Sequence, residues 1–169
     1  MHNTYPAEFL GAVANLLGNE GGYIDDPEDP GGETKWGISK REYPDLDIKN
    51  LGRAAAIAIY YRDWWMRYRY DALPAEVGAK IFNLAVDIGP GPAAICLQRA
   101  LRANQAWWRD EFPNIGPMTK ETTGRVYARE PAALMAALRS ELASWYRVEA
   151  MRQNKDKEFL KGWLNRAYE

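Results

Sequence analysis

Apolar residues recur at helical spacing over the first twenty positions: Phe9, Val13, Leu16 and Leu17 fall at i, i+4, i+7 and i+8, and position 20 continues the stripe. Pro6 near the start and Gly21-Gly22 at the end bound a first helix over residues 6–19. From Ile24 to Gly32 the pattern dissolves into Asp-Asp-Pro-Glu-Asp-Pro-Gly-Gly, a loop of turn formers. The following Glu33-Thr34-Lys35-Trp36-Gly37-Ile38-Ser39 is too short and too glycine-rich for a helix and predicts one strand of a small hairpin. Helical periodicity returns over 51–68 and 74–88. Gly89-Pro90-Gly91-Pro92 ends that segment and starts a fourth helix through Ala103. Residues 104–118 are irregular, and helices follow over 119–129, 132–153 and 158–166. The 74–88 segment is apolar on most sides (Val77, Ile81, Phe82, Leu84, Ala85, Val86), which predicts the central buried helix.

The pattern therefore predicts a mainly α fold with α+β character: a helical bundle with one small β-hairpin directly after residue 20. No linker or repeat interrupts it. Two lobes, 1–88 and 89–169, are expected to pack as one unit.

Glu20 is the oddest position in this pattern. A carboxyl group at the end of an apolar stripe is disfavoured in its charged form by partial burial and by the negative end of the helix dipole. Both effects raise its pKa toward that of a general acid, and two following glycines leave room for a ligand. The plainer reading is a partly exposed glutamate in the last helical turn. Asn83 and Asp87, at i and i+4 on the otherwise apolar 74–88 helix, are either hydrogen-bonded inside or face a cleft, the latter being preferred.

Composition narrows the chemistry. The chain has 169 residues, 47% apolar and 27% charged, enough for one globular domain with two lobes. Its net charge of −1 gives no electrostatic reason to bind nucleic acid or anionic membranes. No run reaches the ~18 apolar residues of a membrane span, and the first twenty residues lack the features of a secretory signal. The single histidine, His2, and the single cysteine, Cys96, leave no set for a zinc site or a Cys-His nucleophile, so no metal or cofactor is expected. Cys96 lies among Ile95, Leu97 and Ala100 and reads as an inert core thiol in a chain suited to a reducing compartment. Seven Trp and ten Tyr exceed what a core of this size needs, and flat aromatic faces suit sugar rings. Trp64-Trp65 and Trp107-Trp108 are adjacent pairs, so one ring of each is expected inside and the other outside. The acidic run Asp25, Asp26, Glu28, Asp29 lacks the alternation of a calcium loop and reads as a solvated turn.

Cleavage of a glycosidic bond needs a proton donor for the leaving oxygen. It also needs a second polar group to stabilise positive charge or activate water. Asp29 lies nine positions after Glu20 and Thr34 five further on, and a returning hairpin brings all three to one wall. Asp29 is otherwise an Asx-turn residue before Pro30, and Thr34 a β-former facing solvent. The spacing resembles the Glu–eight residues–Asp–five residues–Thr arrangement of phage-type lysozymes, with four residues instead of five between Asp29 and Thr34.

Taken together, Glu20-Gly21-Gly22-Tyr23 and Asp29-Pro30-Gly31-Gly32-Glu33-Thr34-Lys35-Trp36-Gly37-Ile38-Ser39 resemble the signature of glycoside hydrolase family 108. The resemblance continues through Tyr60-Tyr61-Arg62-Asp63-Trp64-Trp65, Ile81-Phe82-Asn83-Leu84-Ala85-Val86-Asp87 and Phe159-Leu160-Lys161-Gly162-Trp163-Leu164-Asn165-Arg166. It implies a lysozyme-like fold and N-acetylmuramidase activity of the phage or prophage endolysin kind. It also implies Glu20 as the catalytic acid, while the spacing shared with phage-type lysozymes adds Asp29 and Thr34 as assisting groups. The C-terminal half, 89–169, with Gly89-Pro90-Gly91-Pro92, Leu97-Gln98-Arg99-Ala100-Leu101 and Ile115-Gly116-Pro117-Met118-Thr119, resembles a predicted peptidoglycan-binding segment. Tyr23 and Trp36 either stack on sugars or pack in the core, and Asn83 and Asp87 join them as candidate substrate contacts.

The expected partner is the peptidoglycan glycan strand, with neither nucleic acid nor stable membrane insertion. The protein is expected to be a monomer made in a bacterial host cytoplasm and released by a holin-like protein to act on the periplasmic wall. Two alternatives stay open: a lytic transglycosylase, which needs only one acid, and a non-catalytic wall-binding or secretion-accessory protein.

Overall fold

The first helix, α1 (Ala7–Leu17), buries the stripe its spacing predicts: Phe9, Val13 and Leu17, joined by Ala12. It ends two residues earlier than expected. Gly18 takes a positive φ of 50°, and its N–H donates to the Ala14 carbonyl at 3.1 Å. Gly18, not Gly21-Gly22, is therefore the stop, since a residue with that backbone cannot carry the helix on. The computed structural model describes residues 5–18, 22–25, 32–152 and 160–168.

Three two-residue strands follow: β1 (Tyr23–Ile24), β2 (Thr34–Lys35) and β3 (Ile38–Ser39), antiparallel in the order β1-β2-β3. Tyr23 faces Lys35, Ile24 faces Thr34, and Lys35 faces Ile38. The 33–39 stretch, expected as one strand, is a complete hairpin. Trp36 and Gly37 both have positive φ (56° and 76°), as a two-residue hairpin turn of matching twist demands.

A loop anchored by buried Ile48 and Leu51 leads to α2 (Arg53–Ile59), which widens without a break into a π-helical segment, Tyr60–Met66. Aromatic packing joins this segment to α1. The Tyr61 and Trp65 rings lie 4.9 and 5.5 Å from Phe9, and Tyr5 closes on both Phe9 and Tyr61. Each such pair is worth about 0.5–1.5 kcal/mol beyond the area it buries. A 3₁₀ turn, Tyr70–Ala72, follows.

The chain divides into two compact units, residues 1–71 and 72–169. The hydrophobic pattern puts the lobe boundary at 88/89, but α3 (Ala75–Ile88) packs on α4 (Pro90–Ala103) and so groups with the later helices. The second unit continues with α5 (Pro117–Arg129), α6 (Pro131–Arg152) and α7 (Leu160–Tyr168). Its central helix is α4 rather than α3. It touches α3, α5 and α6 and buries Ala93, Ala94, Cys96, Leu97, Ala100 and Leu101. Three alanines among these six let its neighbours approach closely. Trp107 is buried and Trp108 is 78% exposed, so that pair splits as expected; in the other pair Trp65 is buried and Trp64 is half-buried rather than exposed. Among the described residues no helix is long and apolar enough to cross a membrane.

Candidate active site

Of the proposed catalytic residues, Glu20 and Asp29 lie outside the described residues; Thr34 lies within them. Thr34 sits on β2 opposite Ile24 and Ser39. Its hydroxyl donates to the Gly32 carbonyl at 3.2 Å, which leaves the oxygen lone pairs as acceptors.

Tyr23 is fixed by carboxylates. Its hydroxyl donates to Glu33 at 2.6 Å, with Asp25 at 3.4 Å. The Glu33 hydrogen bond, then desolvation and the Asp25 charge, push the phenol pKa well above its ordinary range, so the Tyr23 hydroxyl keeps the proton it donates to the carboxylates. Glu33 belongs to the quoted sequence block, yet its partnership with Tyr23 was not foreseen. The signal was available in principle, because β1–β2 pairing places the residue before Thr34 diagonally across from Tyr23.

Trp36 is half-buried and held at both ends. The indole Nε1–H donates to the Leu51 carbonyl at 3.0 Å, and its own carbonyl accepts from the Tyr60 hydroxyl, also at 3.0 Å. A bulky residue in the left-handed region costs roughly 1–2 kcal/mol, so these contacts offset local strain. Tyr60 was quoted only as part of a motif. Its role depends on a contact 24 positions away that no local pattern encodes.

In the second unit, α3 carries Asn83 and Asp87 one turn apart. Asp87 binds inside the helical unit: it accepts from the Tyr146 hydroxyl on α6 and from Arg166 Nη1 on α7 at 2.9 Å. The Lys80 ammonium reaches the Arg166 carbonyl at 2.8 Å, and Tyr146 stacks on Trp163 with centroids 5.6 Å apart. Burial first, then the Asp87 carboxylate, raises the Tyr146 pKa and keeps it a donor. Asn83 differs. Its amide oxygen Oδ1 is buried with no hydrogen-bond partner among the described residues, an arrangement that costs energy unless something donates to it.

A second buried amide, Gln98, also went unassigned. It is 1% exposed on α4 and ties down the 104–116 loop, donating to Phe112 O (3.0 Å) and Asn114 O (2.9 Å) and accepting from Phe112 N–H (2.7 Å). Arg99 and Arg102 grip Glu111 on the same loop. No group of three or more His, Cys, Asp or Glu side chains among the described residues gathers to hold a metal.

A short hairpin that follows an acid-bearing block in the sequence and holds aromatic side chains in place is an arrangement suited to glycosidic bonds. Residues 13–89 match the family model described as Glycosyl hydrolase 108, and that match marks the protein as a glycosidase. The coarse function is thereby glycoside hydrolysis in peptidoglycan degradation. Among solved structures the chain is similar to one titled "Structure of Brucella abortus SagA". The TM-score is 0.69 and the identity 24%, over 94% of this chain and 92% of that one. That likeness is one of fold, a mainly α lysozyme-like architecture. No curated protein matches the chain by sequence.

Proposed function

We propose that the protein is an endolysin-type muramidase that hydrolyses the β-1,4 bond between N-acetylmuramic acid and N-acetylglucosamine in peptidoglycan. The observation that carries the reading is the β1–β2 register. Ile24, four residues after Glu20, lies opposite Thr34, five residues after Asp29. The segments that follow the two carboxylates are thus neighbours in one sheet.

In this reading Glu20 protonates the leaving oxygen. Asp29 orients the attacking water or stabilises the oxocarbenium-like transition state, and Thr34 offers its free lone pairs to that water. Tyr23 and Trp36 supply fixed aromatic faces for sugar rings. Asn83, whose Oδ1 lacks a partner among the described residues, and Asp87, which anchors the last turn of α3, are the candidate substrate contacts on that helix. No cofactor takes part. The enzyme works as a monomer, is made in the cytoplasm of a bacterial host, and reaches the wall after a holin-like protein opens the membrane.

Mass spectrometry of muropeptides from digested sacculi tests this proposal. Reducing N-acetylmuramic acid ends are expected, with Glu20→Gln slower by about 10²–10⁴. Anhydro ends without reducing ends would instead make it a lytic transglycosylase. Equal digestion by wild type and Glu20→Gln would remove Glu20 as the acid. No digestion by either would favour a wall-binding role.

A further inference from the structure

We propose that Tyr60 is a positioning residue for Trp36, holding its indole as a platform for a sugar ring; this rests on the reading of Trp36 as a glycan contact. Four observations converge on it. Trp36 occupies the left-handed region, which a tryptophan leaves unless held there. The Tyr60 hydroxyl donates to its carbonyl at 3.0 Å, from a side chain only 2% exposed and so free of competing water. The indole N–H is anchored on the Leu51 carbonyl at 3.0 Å, which fixes the orientation of a ring that is only half-buried. Finally, a Cβ on Gly37 would stand 2.7 Å from the Tyr60 oxygen, so the phenol fills the space that a side chain at the second turn position would need.

The π-helical segment explains how Tyr60 comes to serve this purpose. Tyr60 opens it, and its neighbour Tyr61 packs on Phe9 of α1 together with Trp65. Adjacent aromatic residues thus serve two different neighbours, the hairpin turn and α1. Widened helical turns of this kind concentrate at functional sites. Burial raises the Tyr60 pKa, so its proton stays on the oxygen and available to the carbonyl throughout the working pH range.

The test compares wild type, Tyr60→Phe, Trp36→Ala and the double variant, with initial rates measured against purified peptidoglycan sacculi. Loss of one hydrogen bond to the strained turn is expected to raise KM about fivefold in Tyr60→Phe, with kcat within about twofold. In the Trp36→Ala background the same change is expected to have no further effect. Gly37→Ala is expected to weaken binding less when combined with Tyr60→Phe than alone, because the oxygen it collides with is gone. In protein labelled with 5-fluorotryptophan, the ¹⁹F resonance missing from Trp36→Ala is expected to shift in Tyr60→Phe while the other six stay in place.

An unchanged KM in Tyr60→Phe, or an equal loss in both backgrounds, overturns the positioning role while leaving Trp36 a glycan contact. An unchanged KM in Trp36→Ala removes the glycan contact itself, and the positioning role with it. Shifts spread over many tryptophan resonances would mean that Tyr60 merely supports the fold, which also overturns the proposal.

Discussion

Replacing Gln98 with leucine removes three hydrogen bonds at once while keeping a side chain of similar size. The lost partners are the Phe112 and Asn114 carbonyls and the Phe112 N–H, at 2.7–3.0 Å. Neutral hydrogen bonds contribute about 1 kcal/mol each, giving roughly 3 kcal/mol in total. Phe112 is 51% exposed, so water can reach part of the abandoned backbone, and leucine adds apolar burial. Both reduce the cost, to about 2–3 kcal/mol, or roughly 4–12 °C in melting temperature. Thermal melts followed by circular dichroism read the total. Hydrogen exchange locates it, with amides in 104–116 opening faster than those of α6. Gln98→Glu sharpens the test by placing a buried carboxylate against two carbonyls. Its pKa in the folded state is raised above the unfolded value. The penalty is therefore absent below the unfolded pKa, near pH ~4, and grows as pH rises. A Gln98→Leu protein that melts like wild type, or a Gln98→Glu protein with no such pH dependence, would refute this account of the loop.

Three further outcomes follow from the same helical unit. Burial pushes the Cys96 thiol up to about 12, so the native protein should react with a chromogenic disulfide at pH 8 far more slowly than the urea-unfolded chain; comparable rates would contradict the buried thiol. Burial raises the Glu111 pKa, but Arg102 and Arg99 outweigh it and hold the carboxyl below its usual range. Its stabilisation is present above the unfolded pKa and lost as pH falls through the lower folded one. The gap in melting temperature between wild type and Glu111→Gln should close on acidification below about pH 4. Asp87→Asn breaks the charge pair with Arg166 and weakens the bond from Tyr146, so α7 should become the earliest site of protease cleavage and the unfolding free energy should fall by about 1–2 kcal/mol. An unchanged cleavage pattern would mean that packing alone holds α7.

Periodic elements were legible because their cause is local. α1, α3, α4 and α6 each bury a face that their spacing announces. The failures have physical reasons. Gly18 looked like an interior residue, yet its backbone ends α1 before the glycine pair that looked like a stop. The 33–39 stretch reads as one strand of a hairpin rather than as both, because its turn carries Trp36, where the usual signal is Asn-Gly. Gly89-Pro90-Gly91-Pro92 looked like a lobe boundary, but it is a tight corner between two helices that pack on each other. Thr34, Tyr23 and Trp36 are legible as candidates through the motif. Their partners Glu33 and Tyr60, and Gln98 in the helical unit, are not, because each acts on a residue distant in sequence and their spacing carries no periodic signal.

The aromatic surplus is the feature most open to misreading. The first unit spans 71 residues, with short helices and two-residue strands, a size at which a single core rarely supplies more than about 3–5 kcal/mol. Large rings provide the most apolar area per residue, and Phe9, Tyr60, Trp65 and Tyr70 are buried there for that purpose. A high count of tryptophan and tyrosine is thus what a small unit of this kind needs whether or not it binds sugar. What separates a platform from a core residue is placement. Trp65 is sealed inside, whereas Trp36 is half-buried, strained in its backbone and tied at its carbonyl and its indole N–H. A core ring gains nothing from such an arrangement, because packing alone would hold it in a relaxed conformation. Fixing a ring at a cost in strain is useful when something outside the fold must meet it in one orientation.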